Sequence, residues 1–487
     1  MEIDFHYYAT FTAARLAGFP HEEAGIIAYA AQYVDDSNIK RLVANDVLVE
    51  HLLSPSDEYK TLITKFKPIP TCHLDTELGR FETMATWTTS NINAFRRVWS
   101  IFHFLPGNYG ANSDIRPYTG NKSSTDVVGK IGNMLSDIGI NFSGDEDFKT
   151  SFNLMCLPNS LLVKDMIDDI STKPVSNLTL YLAGIRMHVL ADTWAHCYYS
   201  GTPQYWVNDA GYDVYQIDTN KNKTRITWAP TAWGVTKAVS GVNVEESTPN
   251  TTCAQSTFYL GHGRMGHIPD YPWIVYEYTP KWSANPIIKD NPSDFIKGFT
   301  QMYMALKSIR MGTSFNLKES LEATPDMVGK INRIIQRSAH PSIARDAEAR
   351  ALVWKEELRD LIIDGVHIGI PPDYNQDNWI NMAHGNYNDA STHYYRFNLA
   401  ARMHHDFVID KLQQAGINLN QGNTGVKDSI KELIEELGSL PTKTLKLFIR
   451  VGSDGYDIGK KAVEEVIHFA EDGYSAGKKF IRGITGK

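Results

Sequence analysis

The sequence predicts a mainly α-helical protein with a small β-containing insertion. Three observations support this: an apolar helical pattern over residues 178–200, a helical pattern over residues 6–36, and a change of period confined to residues 201–285. β-Branched and aromatic residues become more frequent in the last of these stretches, which indicates short strands or a hairpin. We expect one helical domain over residues 1–415, with this insertion inside it, and an amphipathic helical extension over residues 416–487.

The composition is that of a globular protein. The chain has 487 residues, of which 42% are hydrophobic and 21% charged, so it is long enough for a large core. Its net charge of -8 argues against a broad basic surface for duplex nucleic acid. Four cysteines without a CxxC pair indicate neither a disulfide framework nor a thiolate zinc site. Without a signal-peptide pattern or ~18 consecutive apolar residues, we expect a soluble protein, cytoplasmic or exported by a leaderless route.

Residues 6–36 predict two helices joined at Gly18, with Pro20 and two glutamates in the first turn of the second helix. The second helix ends at Asp35 and Asp36. Two carboxylates at a helix C-terminus lie at the unfavourable end of the macrodipole, so they need a cation, a metal or exposure to water. We therefore treat Asp35 and Asp36 as candidates for a functional site.

A further helix is predicted over residues 81–105, and it ends at a Pro-Gly pair just after His103. Aromatic residues flank His103, so this side chain is either a packed core histidine or a metal ligand. Residues 107–151 are rich in Gly, Asn, Ser and Asp, which is typical of a long surface loop.

The helix predicted over residues 178–200 carries His188, Asp192 and His196 at successive spacings of four. At ~100° per residue the three side chains share one face, and a rise of ~1.5 Å per residue separates the outer two by about 12 Å. Because one ion cannot bridge that span, the pattern favours two or more metals, with Asp192 between the imidazoles. In the structural alternative, Asp192 only holds a histidine in one tautomer.

Residues 261–272 form a second polar segment, in which glycines alternate with groups able to bind metal or phosphate. The candidates are His262, Arg264, His267 and Asp270. A glycine-rich turn with incidental histidines is the alternative interpretation.

The C-terminal part contains a third polar group and a basic tail. His405 and Asp406 form an adjacent pair on a predicted helix. A motif at residues 454–461 recurs at residues 472–479, an offset of eighteen that places both copies on the same helix face. This tail would either lie on an anionic membrane, bind a partner, or pack on its own core.

Several motifs together resemble a bacterial family of unknown function. They are DFHYY (residues 4–8), QYVDD (32–36), FHFLPG (102–107), HVLADTWAH (188–196) and GHG (261–263). More distantly, the order of an N-terminal ligand, an early Asp, a further His, and an HxxxD helix followed by another His resembles zinc-dependent phospholipase C and the single-strand-specific nucleases. That second resemblance implies an all-α enzyme with a three-zinc site.

The resemblance also implies a set of ligands. His188 and Asp192 would be the HxxxD pair, with Asp192 bridging metals and His196 following. His6, His103 and one of Asp35 or Asp36 would complete the shell, and we select Asp36 as the ligand. Those enzymes begin with a Trp whose free amine binds metal, whereas this chain begins with Met1, so His6 would substitute. They also carry an HxxxE helix, for which His262, His267 or Asp270 would stand in; we select His262.

From these patterns we expect residues 1–415 to form a phospholipase C-like phosphoester hydrolase that holds two or three zinc ions and uses a metal-activated water. Phospholipids are among its candidate substrates. Asp35 or Asp36 would orient or deprotonate the water, and the planar fork of Arg264 would neutralise a phosphate. One rival hypothesis is an HD-type phosphohydrolase or nuclease built on His405 and Asp406. The other is a non-enzymatic toxin or effector module whose C-terminal helices contact a membrane or a partner.

Overall fold

The predicted mainly α-helical fold is confirmed. The computed structural model describes residues 1–37, 69, 71–72, 89–110, 115–120, 152–202, 205–208, 210, 213–226, 228–230, 236–238, 261–262, 265–280, 282–340, 342–383, 389–417 and 419. Arg264, the long loop apart from its ends, and the repeat in the C-terminal tail lie outside these residues. Within them, no helix combines the length and apolarity needed to span a bilayer.

The described helices follow one another along the chain, beginning with a π-helix, Asp4–Ala9. The α-helices are α1 Thr10–Leu16, α2 His21–Asp36, α3 Thr89–Phe102, α4 Leu161–Ser171, α5 Asn177–Ala195, α6 Tyr205–Asn208, α7 Asn291–Met311, α8 Pro325–Ser338, α9 Ala347–Leu358, α10 Asn378–Ala383 and α11 His393–Gln414. Two single-turn 3-10 helices, Ile268–Asp270 and Glu319–Leu321, lie between them.

Most of the described strands lie in the region where the sequence predicts an insertion. Four of them form an antiparallel sheet in the order β2-β1-β5-β6, and two pairs form small hairpins, β3 with β4 and β7 with β8. Their bounds are β1 Tyr215–Ile217, β2 Lys223–Arg225, β3 Trp228–Pro230, β4 Thr236–Ala238, β5 Val275–Tyr278, β6 Ile287–Asp290, β7 Ile362–Ile363 and β8 Val366–His367.

The N-terminal helices break where the sequence predicts. Gly18 has a φ of 89°, a left-handed conformation that glycine adopts without steric cost. α2 follows Pro20 and ends at Asp36, so both adjacent carboxylates lie in its last turn. The first helical segment differs from expectation, because a π-helix precedes α1 and carries His6. π-Helical turns are rare and often occur at functional sites.

Helix α5 lies at the centre of the helical core. A capping box formed by Ser176 and Thr179 fixes its start, and side chains on all of its faces are buried. It packs against α2, α7 and α11. Its last helical residue is Ala195, so His196 caps the helix instead of continuing it. The buried ammonium of Lys289 donates to the carbonyl of Trp194 at 2.9 Å, which complements the negative end of the helix dipole.

Gly184 sets the distance between α5 and α2. A Cβ atom at this position would lie 2.3 Å from the carbonyl oxygen of Ile27 and 2.6 Å from the Cβ of Ala30. Only glycine therefore permits this approach of the two backbones. The close approach also brings together the candidate ligands Asp35, which α2 carries, and His188, which α5 carries.

We expect Gly184→Ala to destabilise the protein by about 1–3 kcal/mol, because the added methyl group must push two packed helices apart. The same displacement should weaken metal binding. Gly329→Ala in α8 is the matched control, since no atom lies within 4 Å of its added Cβ and alanine is the better helix former. Chemical denaturation of both variants measures the difference; equal unfolding midpoints would contradict the close-packing argument.

Candidate metal centre

Three groups of buried or half-buried side chains converge around α5. In each group the ligand atoms all lie within 4.8 Å of one another, which is close enough to hold a metal ion. The first group is His6, His188 and Asp192, the second is Asp35, His103 and His188, and the third is His196, His262 and Asp270. The residues of this cluster come from the π-helix, from α2, from the chain just after α3, from α5 and from the segment before β5.

Asp192 is the hub of the cluster and is 1% exposed. One carboxylate oxygen, Oδ1, lies 3.1 Å from Nε2 of His6. The other, Oδ2, lies 3.2 Å from Nε2 of His188 and 3.3 Å from Nδ1 of His103. Two ligand atoms that are each ~2.0–2.1 Å from one tetrahedral zinc ion are separated by roughly 3.4 Å. The observed separations therefore match those of atoms that share metal ions.

Backbone carbonyls determine the tautomers of four histidines. Nδ1–H of His188 donates to the backbone carbonyl of Ala31 at 2.9 Å, and Nδ1–H of His196 donates to the backbone carbonyl of His103 at 2.7 Å. Nδ1–H of His262 donates to the backbone carbonyl of Gly266 at 2.7 Å. His103 uses its other nitrogen, Nε2–H, to donate to Thr71 at 2.7 Å. Because a carbonyl only accepts, the second ring nitrogen carries a lone pair whenever the ring is neutral. Metal-ligating histidines typically have such a partner on the nitrogen remote from the metal.

Two of these lone pairs face each other. Nε2 of His188 lies 3.2 Å from Nδ1 of His103. Burial lowers the pKa of both rings, that of His188 well below its ordinary value, so neither ring is protonated at neutral pH. Two bare nitrogens at this distance repel each other unless a cation lies between them. The pair therefore fits a metal ion better than it fits a purely structural hydrogen-bond network.

His6 has the most unusual environment in the cluster. Its side chain is fully buried and its Nε2 lies 3.1 Å from Oδ1 of Asp192, but neither ring nitrogen makes a well-aligned hydrogen bond to the described residues. Burial lowers the pKa of His6 to about 4. The ring stacks on that of His188, with 3.8 Å between the centroids. A buried polar group without a partner is costly, and a metal at its Nε2, beside Asp192, would remove that cost.

The two adjacent carboxylates at the end of α2 have different roles. Asp35 turns toward the histidines, with its Oδ1 3.8 Å from Nδ1 of His103 and from Nε2 of His188. Burial and the nearby Asp192 raise the pKa of Asp35 well above its ordinary value. Asp36 instead accepts hydrogen bonds from the Tyr374 hydroxyl at 2.5 Å and the Gln32 amide at 3.3 Å. Asp35 therefore takes the place for which we had selected Asp36.

The third group lies at the C-terminal end of α5. The carboxylate of Asp270 lies 3.0 Å from Nε2 of His196 and 3.3 Å from Nε2 of His262. Burial lowers the pKa of His262 to about 4. Burial opposes the ionisation of Asp270, but the N-terminal amine and His262 outweigh it and hold its pKa well below the ordinary value. The ring of Phe104 stacks on His196, with 4.5 Å between the centroids.

The N-terminal amine of Met1 lies between the first and third groups. In the chain as printed, it is buried, 2.7 Å from Oδ1 of Asp192 and 3.0 Å from Oδ1 of Asp270. It also lies 3.5 Å from Nε2 of His196. Burial would lower the pKa of this amine, but the surrounding carboxylates raise it to about 11. A metal that used the amine as a ligand would have to displace its proton.

The structure brings most of the predicted ligand residues close together. The structure brings together His6, Asp35, His103, His188, Asp192, His196 and His262. We expected His6 to substitute for an N-terminal amine, whereas the structure places both groups beside Asp192. Asp270 is one of three residues that the sequence offers in place of the HxxxE helix. Its contacts with His196 and His262 distinguish it from the other two.

The remaining candidates lie elsewhere. His405 and Asp406 pair with each other at 2.9 Å on the partly exposed side of α11, and among the described residues they belong to none of the three groups. His267 lies at the edge of the third group, 3.7 Å from Asp270. The geometry thus separates the HD-type hypothesis from the cluster around α5.

Comparison with known proteins identifies one similarity. The model of a family of unknown function, DUF6765, matches residues 1–412. No curated protein and no solved structure matches the chain.

Proposed function

Because the chain belongs to DUF6765, a family of unknown function, we propose its activity from the site: a metal-dependent phosphoester hydrolase with a zinc cluster on α5. The observation that carries this proposal is the pair of unprotonated, buried ring nitrogens of His103 and His188, 3.2 Å apart, with Asp192 beside both. Imidazole and carboxylate ligands without thiolates suit zinc better than magnesium or calcium, which prefer oxygen.

The number of candidate groups supports a cluster of up to three ions. Asp192 uses one oxygen toward His6 and the other toward His103 and His188, so it is placed to bridge two of them. The third group has its own carboxylate in Asp270. The order of His6, Asp35, His103 and the HxxxD pair is also the one on which the resemblance to zinc-dependent phospholipase C and single-strand-specific nucleases rests, with His6 in place of the N-terminal amine.

Charge balance favours a phosphoester as the substrate. Three divalent ions would exceed the carboxylates of Asp35, Asp192 and Asp270 by roughly three positive charges, because the histidines bind as neutral rings. A site with that excess attracts anions such as phosphodiesters more than neutral amides or esters. When bound, the ions would polarise the phosphoryl oxygens and lower the pKa of a water toward ~7.

Asp35 is the residue best placed to act on the attacking water. Its side chain is 29% exposed, whereas His103 is 4% exposed and Asp192 1%. The cluster therefore reaches solvent at Asp35. The same side chain contacts His103 and His188, so binding of metal would also orient it.

The decisive experiment combines metal content with activity. We expect zinc-loaded protein to hydrolyse at least one of three probes: bis(p-nitrophenyl) phosphate, phosphatidylcholine vesicles or a single-stranded oligonucleotide. Chelation should abolish the activity and zinc should restore it. His188→Ala should lower the rate at least about 100-fold, since it removes a ligand from two groups, whereas His405→Ala should leave it unchanged.

Three outcomes would contradict the proposal. They are full activity in chelator, zinc-loaded protein that hydrolyses no phosphoester, and activity that depends on His405 but not on His188. The last of these would support the HD-type hypothesis instead.

A further inference from the structure

Residues 1–6 pack against the candidate metal centre. In the chain as printed, the Met1 amine and the His6 ring are both fully buried. Backbone bonds supply part of the order, because the amides of Phe5 and His6 both donate to the Glu2 carbonyl at 2.9 Å. They tie the segment to itself, however, so the contacts that fix its place in the core must come from other elements.

Arg350, a buried residue of α9, forms ion pairs with two acidic side chains of this segment. Nε of Arg350 donates to the carboxylate of Asp4 at 3.0 Å, and its NH2 group binds the carboxylate of Glu2. NH1 donates to the carbonyl of Ala344 at 2.7 Å. The side chain of Arg350 is 0% exposed and that of Asp4 is 2% exposed. One planar guanidinium therefore holds two carboxylates that stand between Met1 and His6, which a lysine cannot do with the same geometry.

Arg350 also contacts the segment that carries Asp270 of the third ligand group. Its guanidinium lies over the ring of Tyr271, 5.7 Å from the centroid, directly after Asp270 in the chain. Glu2 also faces this segment, with Oε1 3.7 Å from Nδ1 of His267. His267 in turn lies 3.7 Å from Asp270, and Asp270 lies 3.0 Å from the Met1 amine. A chain of contacts therefore connects Arg350, through Glu2, with the surroundings of the amine.

We infer that Arg350 is a positioning residue of the metal centre: by holding Glu2 and Asp4 together, it places the Met1 amine and His6 beside Asp192. The inference deepens the proposed function and rests on it. Arg350 itself touches neither a candidate ligand nor the place of a substrate. Its effect is on the ion that the N-terminal segment would help to bind, while the group of His196, His262 and Asp270 keeps its own side-chain ligands.

The test measures two properties of Arg350→Met, Arg350→Lys and Glu2→Gln in the full chain. The first is the rate at which a pulse of acetic anhydride labels the Met1 amine, read by mass spectrometry of the N-terminal peptide. We expect slow labelling in the wild type and labelling at least about tenfold faster in Arg350→Met. The second is zinc titration, in which one equivalent should bind about 10–100-fold more weakly while the others remain. Excess zinc should restore that equivalent.

Arg186→Met is the matched control. Arg186 is also buried and also binds a carboxylate and a carbonyl, those of Asp169 and Met166, but it contacts none of the first six residues. It should lose stability without changing the labelling of Met1 or the zinc stoichiometry. If Arg350→Met does not fold, the milder Arg350→Lys and Glu2→Gln variants carry the test, since Glu2 is 21% exposed and tolerates substitution better.

The two readouts separate this inference from the proposed function. Wild-type labelling rates and wild-type zinc affinity in all the folded variants would overturn the role of Arg350. Faster labelling in the variants of a protein that binds no zinc would support the anchoring of the terminus and overturn the hydrolase proposal. Faster labelling together with a single weakened zinc equivalent supports both.

Discussion

Replacing Asp192 by alanine is expected to remove at least two of three zinc ions and to lower phosphoester hydrolysis about 1000-fold or more. The carboxylate belongs to the first group and lies within 3.1–3.3 Å of ring nitrogens from His6, His103 and His188. Because His103 and His188 also belong to the second group, we expect its loss to disturb two neighbouring ions. Each ion supplies several kcal/mol of transition-state stabilisation, and ~1.4 kcal/mol corresponds to tenfold in rate. Elemental analysis of wild type and variant, purified side by side, measures the loss.

Asp36→Asn is the matched control for this experiment. Asp36 is an aspartate one residue from Asp35, but its carboxylate binds Tyr374 and Gln32. We expect this variant to retain all of its zinc, whereas Asp35→Asn should lose part of it. Retention of every ion by Asp192→Ala would rule out a bridging role for Asp192. Loss of zinc from Asp36→Asn, with Asp35→Asn unaffected, would reverse our assignment of the two carboxylates.

Removal of metal is expected to lower the thermal stability by on the order of 10–20 °C. A ligand that binds only the folded state at about 1000 times its Kd adds about 4 kcal/mol per site, and up to three sites act together. The metal-free cluster also contains unfavourable contacts, including the facing nitrogens of His103 and His188. The buried His6 ring adds to them, because it makes no well-aligned hydrogen bond to the described residues.

Differential scanning calorimetry with and without a chelator measures this change. Stepwise return of zinc should raise the melting temperature in stages, one for each site that fills. Magnesium should be far less effective at the same concentration, because it binds imidazole poorly. A melting temperature unchanged by the chelator, in protein that contains no metal, would show that the cluster is structural.

The main features of the fold follow from local patterns. Gly18 and Pro20 mark the break between α1 and α2, and both lie where the chain turns. The periodicity of residues 178–200 predicts α5, although the helix ends at Ala195 and His196 becomes its cap. Lys289 contributes to this end by binding the carbonyl of Trp194, from a strand that no helical pattern connects with α5.

The site was predictable where its residues share one element. His188 and Asp192 are four residues apart, so the helical repeat alone brings them to the same face. The choice between Asp35 and Asp36 was not predictable, because both end the same helix and only their contacts in the fold distinguish them: Asp35 faces His103 and His188, whereas Asp36 binds Tyr374. Asp270 was equally ambiguous, since its partners His196 and His262 lie in other segments.

The sequence by itself thus determined the helical class, the central helix and the histidine and aspartate stripe on it, because these depend on periods of a few residues. The tertiary structure decided the composition of the cluster. It brought the Met1 amine beside Asp192, which is 191 residues away, and Arg350 beside Asp4, which is 346 residues away. Such contacts form only when separate elements bury their apolar faces together, and the polar groups that this packing encloses must then satisfy one another or bind a metal.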